Sequence, residues 1–400
     1  MNQNYGALSN LRVLDLTRVL AGPFCTMILA DMGAEVIKIE KPGKGDDSRS
    51  FPPFIKGESA YFMNVNRGKK SITLNLKHPK GRDIFLELVK KADVVVENFR
   101  PGVMENLRID YEVLRKVNPK IIYASISGFG LTGPYKNKPG YDIIGQAMGG
   151  IMSVTGWPGG PPTRTGTAIA DILAGLSASI GILAAVNART LTGKGQMVDV
   201  SLMGSVIASM ETLLQIYFVE KRVPERIGNR YEFIYPYDAF EAKDGWFVLG
   251  VGNDEIWNRL CRLLKENNVD TSRIEKMKTN EQRVKNYKII REIIQNWVSQ
   301  YSVEKITQIL MEHRIPAAPV YSIKDIANDP HVKARGLIVS MEHPKLGILN
   351  FTGPHIKLSA TPPKIRSYPP LLGEHNNIIL TQYLNFSKEE IKKLEADGVI

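Results

Sequence analysis

Cysteine is nearly absent. Cys25 and Cys261 are the only two in 400 residues, too few for a disulfide framework or a cysteine metal site, and this argues for a cytoplasmic protein. The six histidines, at 78, 313, 331, 343, 355 and 375, never stand three or four residues apart, so no zinc-binding pair is spelled out and no metal is expected. The opening residues, MNQNYGALSNLRVLDL, lack the basic start and apolar core of a signal peptide. The longest apolar run, within 164–186, is broken by Gly and Ser and reads as short of the ~20 residues that span a bilayer. No membrane segment is therefore expected. Nor is there a G-x-G-x-x-G after the first strand, a complete phosphate loop, or a G-x-S-x-G elbow. Gly22 stands alone in TRVLAGP, Met63 occupies the leading glycine position before NRGKKS, and GLSAS ends in Ser. Glu40, at a strand end, is the one trace of a nicotinamide site, and a polar strand end explains it as well.

Acid is the minority charge: 41 Asp and Glu against 52 Lys and Arg, a net charge of +11. The basic residues are scattered, without a basic helix or arm interleaved with aromatics, so nucleic acid is disfavoured as a partner. A phosphate-bearing small molecule stays open.

What is present is an alternation of strand and helix patterns. LRVLDL (11–16), EVIKIE (35–40), DVVVENF (93–99) and KIIYASISG (120–128) read as strands, and 22–34, 78–92 and 110–119 as helices. This predicts an α/β fold with a doubly wound, Rossmann-like sheet and its crevices at the carboxyl ends of the strands. After Met203 the pattern predicts one long helix over 205–218, a hairpin over 237–251, helices over 254–267, 280–300 and 302–313, a second hairpin over 336–353, and a final helix after the Pro-rich 360–376. The predicted organisation is a large domain over 1–205, a smaller α+β domain over 225–330, and a C-terminal return over 335–400.

One carboxylate stands out. In RTGTAIADILAGLSASIGILAAV (164–186), Asp171 is the only acid among small and apolar residues. An anion there has a cap to make, a partner, or chemistry to do. The local reading is an N-cap for a helix starting at the next residue. A carboxylate kept ionised there by the helix dipole would also be a competent nucleophile toward an activated acyl group.

Several blocks, in order along nearly the whole chain, carry a resemblance: LDLTRVLAGPFCTMILADMGAEVIKIEKPGKGDDSR (14–49), NRGKKSITLNLKHPKG (66–81), VVENFRPG (95–102), SGFGLTGPYKNKPGYD (127–142), TGTAIADILAG (165–175), TGKGQMVDVSL (192–202) and PPLLGEH (369–375). Together they resemble the class III coenzyme A-transferases (CaiB/BaiF type, with formyl-CoA and carnitine CoA-transferases). PYDAF, GVGNDEIW and DPHVKARGLIVSMEHPKLG resemble its succinyl-CoA:dicarboxylate members. The resemblance implies that Asp171 attacks an acyl-CoA thioester and passes through a mixed anhydride and an aspartyl-CoA thioester. It implies CoA contacts at Leu20, Ala21, Lys41, Leu74, Asn75, Leu76, Lys77, Asn98, Phe99, Arg100, Tyr141 and Asp142. It further implies acyl-CoA as substrate with no permanently bound cofactor, a carboxylic acid as acceptor, and an interlocked homodimer. The small residues Ala174, Gly175, Ser177, Ala178 and Gly181 would then allow close packing, between subunits or within one. Arg164 and Arg230 are candidate holders of a far carboxylate.

The pattern departs from the family in places. A glycine run over the Asp is missing, its nearest counterpart being LGVGNDEIW (249–257), which puts oxalate and formate in doubt. A basic position found in some members is Asn106. A racemase of the same fold would need His where Tyr141 stands, and a non-catalytic CoA-binding subunit would not need Asp171.

Overall fold

In the computed structural model, which describes residues 6–400, six strands form one parallel sheet. They are β1 (Arg12–Asp15), β2 (Glu35–Glu40), β3 (Lys70–Thr73), β4 (Val94–Glu97), β5 (Ile122–Ser127) and β6 (Met197–Ser201). Their order is β3-β2-β1-β4-β5-β6, every neighbouring pair being parallel. The order reverses between β1 and β4, and a crevice opens at such a point beyond the carboxyl ends of the strands.

The alternation of apolar side chains within each strand makes two cores. Leu14, Ile37, Ile72, Val95 and Tyr123 point to one face, where they meet α2 (Pro79–Val89), α3 (Tyr111–Val117) and the helices Asn376–Leu384 and Lys388–Ala396. Val13, Val36, Val96, Ile122 and Ala124 point to the other, against α1 (Ala21–Asp31), α5 (Ile169–Thr192) and α6 (Leu202–Ala208). Between these lie α4 (Asp142–Met148), before α5, and α7 (Leu213–Glu220), after α6.

Close contacts divide the chain into two units: 1–152 with 164–222 and 330–400, and 153–163 with 223–329. The second unit has its own three-stranded antiparallel sheet, Tyr237–Ala242, Gly245–Gly250 and Ala317–Pro319. Five helices lie between Asp254 and Asn328 in the same unit, and Phe240, Phe247, Trp257, Ile290, Ile294 and Leu310 are buried together in its core.

Four local expectations need correction. The 205–218 helix is two helices, α6 and α7, bent by 72° at a break that includes Glu211 at φ +45°. The 280–300 helix breaks at Asn286, and the final helix is two, 376–384 and 388–396. The apolar run after Arg164 belongs to a helix of 24 residues, long and apolar enough by length and composition to cross a membrane. Gly and Ser do not interrupt it, because its Ala170, Ala174, Ala178, Ile182 and Ala185 are buried against α1 and the sheet. Tertiary packing overrides the weak helix preference of Gly175, Ser177, Ser179 and Gly181.

Candidate active site

Two cavities open at the carboxyl ends of the parallel strands, and Arg18, Asp47 and Phe99 line both. The first, of about 260 Å³, is bounded by the residues after β2 and β3: Lys41 and Lys44, then Leu74, Asn75, Leu76 and Lys77. Arg18, Lys41, Lys44 and Lys77 stand in its lining with the apolar Leu16, Ile39, Leu74 and Leu76, a combination that suits a nucleotide with phosphates. The second, of about 170 Å³, is bounded by Leu20 and Ala21 after β1, Asn98 to Pro101 after β4, Ile126 to Gly128 at the end of β5, and Lys138, Tyr141 and Asp171. The sheet's reversal point thus lies beside the cavity that contains the isolated carboxylate.

Asp171 sits in the first turn of α5, not before it. The helix starts at Ile169 and its N-cap is Ala168, which makes no side-chain cap bond. The cap bond comes from elsewhere: the Ala170 N–H donates to Asp142 Oδ1 at 2.9 Å. Gln146, fully buried, donates to Asp142 Oδ2 at 2.7 Å and accepts from the Thr165 N–H at 3.0 Å. The N-cap reading of Asp171 is therefore replaced by one in which Asp142 does the capping. Burial, and after it the Asp142 charge, pushes the Asp171 carboxyl up to about 7. That also corrects the expectation of a fully ionised group: desolvation and a like charge outweigh the helix dipole at this position. Tyr61 lies within this field; burial, then the charge of Asp171, pushes its hydroxyl up to about 12.

Beneath the cavities lies a dry network of charge. Lys38 Nζ pairs with Asp46 at 2.9 Å and Lys69 Nζ with Asp15 at 3.0 Å, all four side chains being fully buried. Against the cost of burial, Lys38 and the Ser48 and Val19 N–H groups hold Asp46 down at about 2. Glu40 is paired with Arg49 at 2.7 Å and accepts from Ser71, so its carboxylate is occupied within the fold. Glu97, whose carboxyl burial pushes up to about 7, accepts the Phe99 N–H at 2.7 Å at the end of β4.

Of the residues singled out in the sequence, Lys41 and 74–77 line the first cavity, Phe99 lines both, and Leu20, Ala21, Asn98, Arg100, Tyr141 and Asp171 line the second. Asp142 lines neither, its two oxygens being taken by Ala170 and Gln146. The candidate cations fare differently. Arg164 is exposed, and among the described residues its side chain reaches the Gly166 carbonyl alone, at 3.5 Å. Arg230 belongs to the second unit, where its guanidinium stacks 4.4 Å from the centre of the Tyr287 ring. The cations that share the cavity with Asp171 are Arg18, Arg100 and Lys138. Sequence reasoning missed Arg18, Val19, Asp47, Tyr61 and Lys138. Arg18 and Val19 lie inside the TRVLAGP block; Tyr61 has no local signal at all. The small-residue stripe of α5 is used within the chain: a Cβ on Gly175 would stand 2.7 Å from the Ala21 carbonyl, and one on Gly181 2.6 Å from Val198.

The family model for CoA-transferase family III matches residues 8–376. The succinyl-CoA:glutarate CoA-transferase of Mus musculus is 41% identical over 395 residues, 98% of this chain and 90% of that protein. The acetyl-CoA:oxalate CoA-transferase of Acetobacter aceti is 40% identical, over 94% of this chain and 96% of that one. The crystal structure of a CaiB/BaiF family protein from Brucella suis superposes with a TM-score of 0.85 at 35% identity, covering 95% of this chain and all of that one.

Proposed function

The chain belongs to CoA-transferase family III, and we propose that it moves CoA from succinyl-CoA to a short dicarboxylic acid with Asp171 as the nucleophile. The observation that carries this reading is the position of Asp171: among the described residues a carboxylate with no ion-pair partner, in a cavity that shares walls with a second one lined by Lys41, Lys44 and Lys77 at the sheet's reversal point. Asp171 Oδ attacks the thioester carbonyl carbon, the C–S bond breaks, and CoA leaves as thiolate from a mixed anhydride. The thiolate then attacks the Asp171 carbonyl and expels succinate, leaving an aspartyl-CoA thioester. The acceptor carboxylate attacks that thioester and again releases thiolate. The thiolate takes the acceptor acyl group and frees Asp171. Over the whole cycle one thioester is exchanged for another of similar energy, so the cycle as written needs neither ATP nor a resident cofactor.

Two named relatives support a dicarboxylate acceptor, glutarate in one and oxalate in the other; they differ in donor, succinyl-CoA against acetyl-CoA. Arg18, Arg100 and Lys138, beside Asp171, supply positive charge for a second carboxylate.

The test has two arms. Mass spectrometry after mixing with succinyl-CoA should find an adduct on Asp171, trappable by hydroxylamine or borohydride only when acyl-CoA is present. A panel of glutarate, malate, itaconate, oxalate and butyrate, run with succinyl-CoA and with acetyl-CoA, should favour the diacids over butyrate by at least about tenfold, the worth of one charge-assisted contact. An adduct on another residue would overturn the nucleophile, and rates for butyrate equal to those for the diacids would overturn the dicarboxylate site.

A further inference from the structure

The turn between β1 and α1 is held in a conformation its own sequence opposes. Val19 has φ +66°, the left-handed region that a β-branched side chain enters only under constraint. The constraints are visible. The Thr17 carbonyl accepts from Lys38 Nζ at 2.7 Å, and the Val19 N–H donates to Asp46 Oδ1 at 3.1 Å. Between them, both polar groups of Arg18 are taken by one side chain. Its N–H donates to Asn98 Oδ1 at 2.8 Å, and its carbonyl accepts from Asn98 Nδ2 at 2.8 Å. Asn98 lies 80 residues away along the chain, just past the end of β4. The next two residues, Leu20 and Ala21, line the cavity that contains Asp171. Among the described residues their N–H groups have no acceptor.

We propose that Asn98 is a positioning residue: its amide clamps the Arg18 peptide, holds Val19 in the left-handed region, and so fixes Leu20 and Ala21 against the reacting centre at Asp171. The proposal rests on Asp171 being the nucleophile. It assigns Asn98 a role beyond any contact with CoA, because one donor and one acceptor site of its amide are engaged by the Arg18 backbone. The strain at Val19 is what makes the clamp necessary. Without Asn98 the turn can relax to negative φ, carrying the start of α1 with it, whereas glycine at position 19 occupies the same φ without a steric penalty. Misplacing a group at a reacting centre lowers turnover more than affinity.

The experiment is a double-mutant cycle on the full-length protein with Asn98→Ala and Val19→Gly, repeated with Asn98→Asp, which keeps the acceptor and removes the donor. Succinyl-CoA-dependent transfer is measured, with a thermal melt to check that each variant is folded. Asn98→Ala should lower kcat by about tenfold to a hundredfold while KM for succinyl-CoA stays within about threefold. Val19→Gly introduced into Asn98→Ala should raise kcat by about fivefold relative to its effect in the wild type, the coupling a shared turn produces. A wild-type kcat in Asn98→Ala, a rise in KM alone, or the absence of coupling to Val19 would each overturn the clamp. If Asn98→Ala does not fold, the Asn98→Asp cycle carries the same outcomes. Asp171→Asn separates the two readings. Transfer retained in Asp171→Asn overturns the nucleophile, whereas transfer lost there but full in Asn98→Ala overturns only the clamp.

Discussion

Asp171 must be ionised to attack a carbonyl carbon, yet burial and Asp142 push its carboxyl up to about 7. The consequence at the residue scale is a pH dependence of known sign. kcat/KM for succinyl-CoA should rise with pH, about tenfold per unit below 7, and level off above it. A profile flat between pH 5 and 8, on the order of the range where a carboxyl so shifted titrates, would contradict the environment described for this group. Stability carries the opposite sign. A carboxyl whose pKa is raised from its ordinary 3.8 binds its proton more tightly in the folded state. Its protonated form is therefore compatible with the fold at low pH, and as pH rises through about 7 the buried charge costs stability. Asp171→Asn should lose transfer by on the order of a thousandfold or more, yet melt higher than the wild type at pH 8, with the difference shrinking toward pH 4, roughly the ordinary carboxylate value. Melting curves at the two pH values read this directly.

At the scale of elements, the position of Asp171 depends on how closely α5 approaches α1. Gly175 lies one turn beyond Asp171, and a Cβ there would stand 2.7 Å from the Ala21 carbonyl and 3.1 Å from Phe24 Cδ1. A backbone oxygen cannot turn aside, so Gly175→Ala has to push the helices apart. Alanine favours helix over glycine by about 1 kcal/mol, but overpacking a close helix contact costs about 1–3 kcal/mol. The net effect should be a lower melting temperature together with a reduced kcat, since the shift is transmitted through one helical turn to Asp171. Gly166→Ala, where nothing lies within 4 Å, is the control for stability. Equal melting of the Gly175 variant and wild type would show that the two helices have room to spare.

At the scale of the molecule, apolar surface remains uncovered. In the first unit Ile180, Leu191 and Val219 are 68%, 83% and 77% exposed, and Phe218 is more than half exposed. Exposed side chains of this size on two helices of one unit, α5 and α7, are what a subunit interface leaves behind when one chain is viewed alone. We therefore propose a homodimer, carried by these residues and not by the small-residue stripe of α5, which is occupied by α1 and β6 within the chain. Sedimentation at assay concentration should give twice the 44.6 kDa of the chain. Ile180→Glu with Leu191→Glu should shift the population toward monomer, and a fully active monomer in the wild type would refute the proposal.

The sequence by itself determined the parallel sheet and its helical layers, because strand alternation and helical periodicity record which side chains leave water. It also carried the family resemblance and the isolated Asp171, and through that resemblance twelve of the residues that line the two cavities. Its failures share a cause. The breaks at 209–212 and at Asn286, the length of α5, the capping of that helix by Asp142, and the upward shift of Asp171 all depend on groups remote from the position concerned. Arg18 and Asn98 are 80 residues apart and meet only because β1 and β4 are neighbours in the sheet. A pKa or a strained turn is a sum over whatever the fold brings near. Local pattern indicates that a residue is buried, and the tertiary structure alone decides which atoms it is buried against.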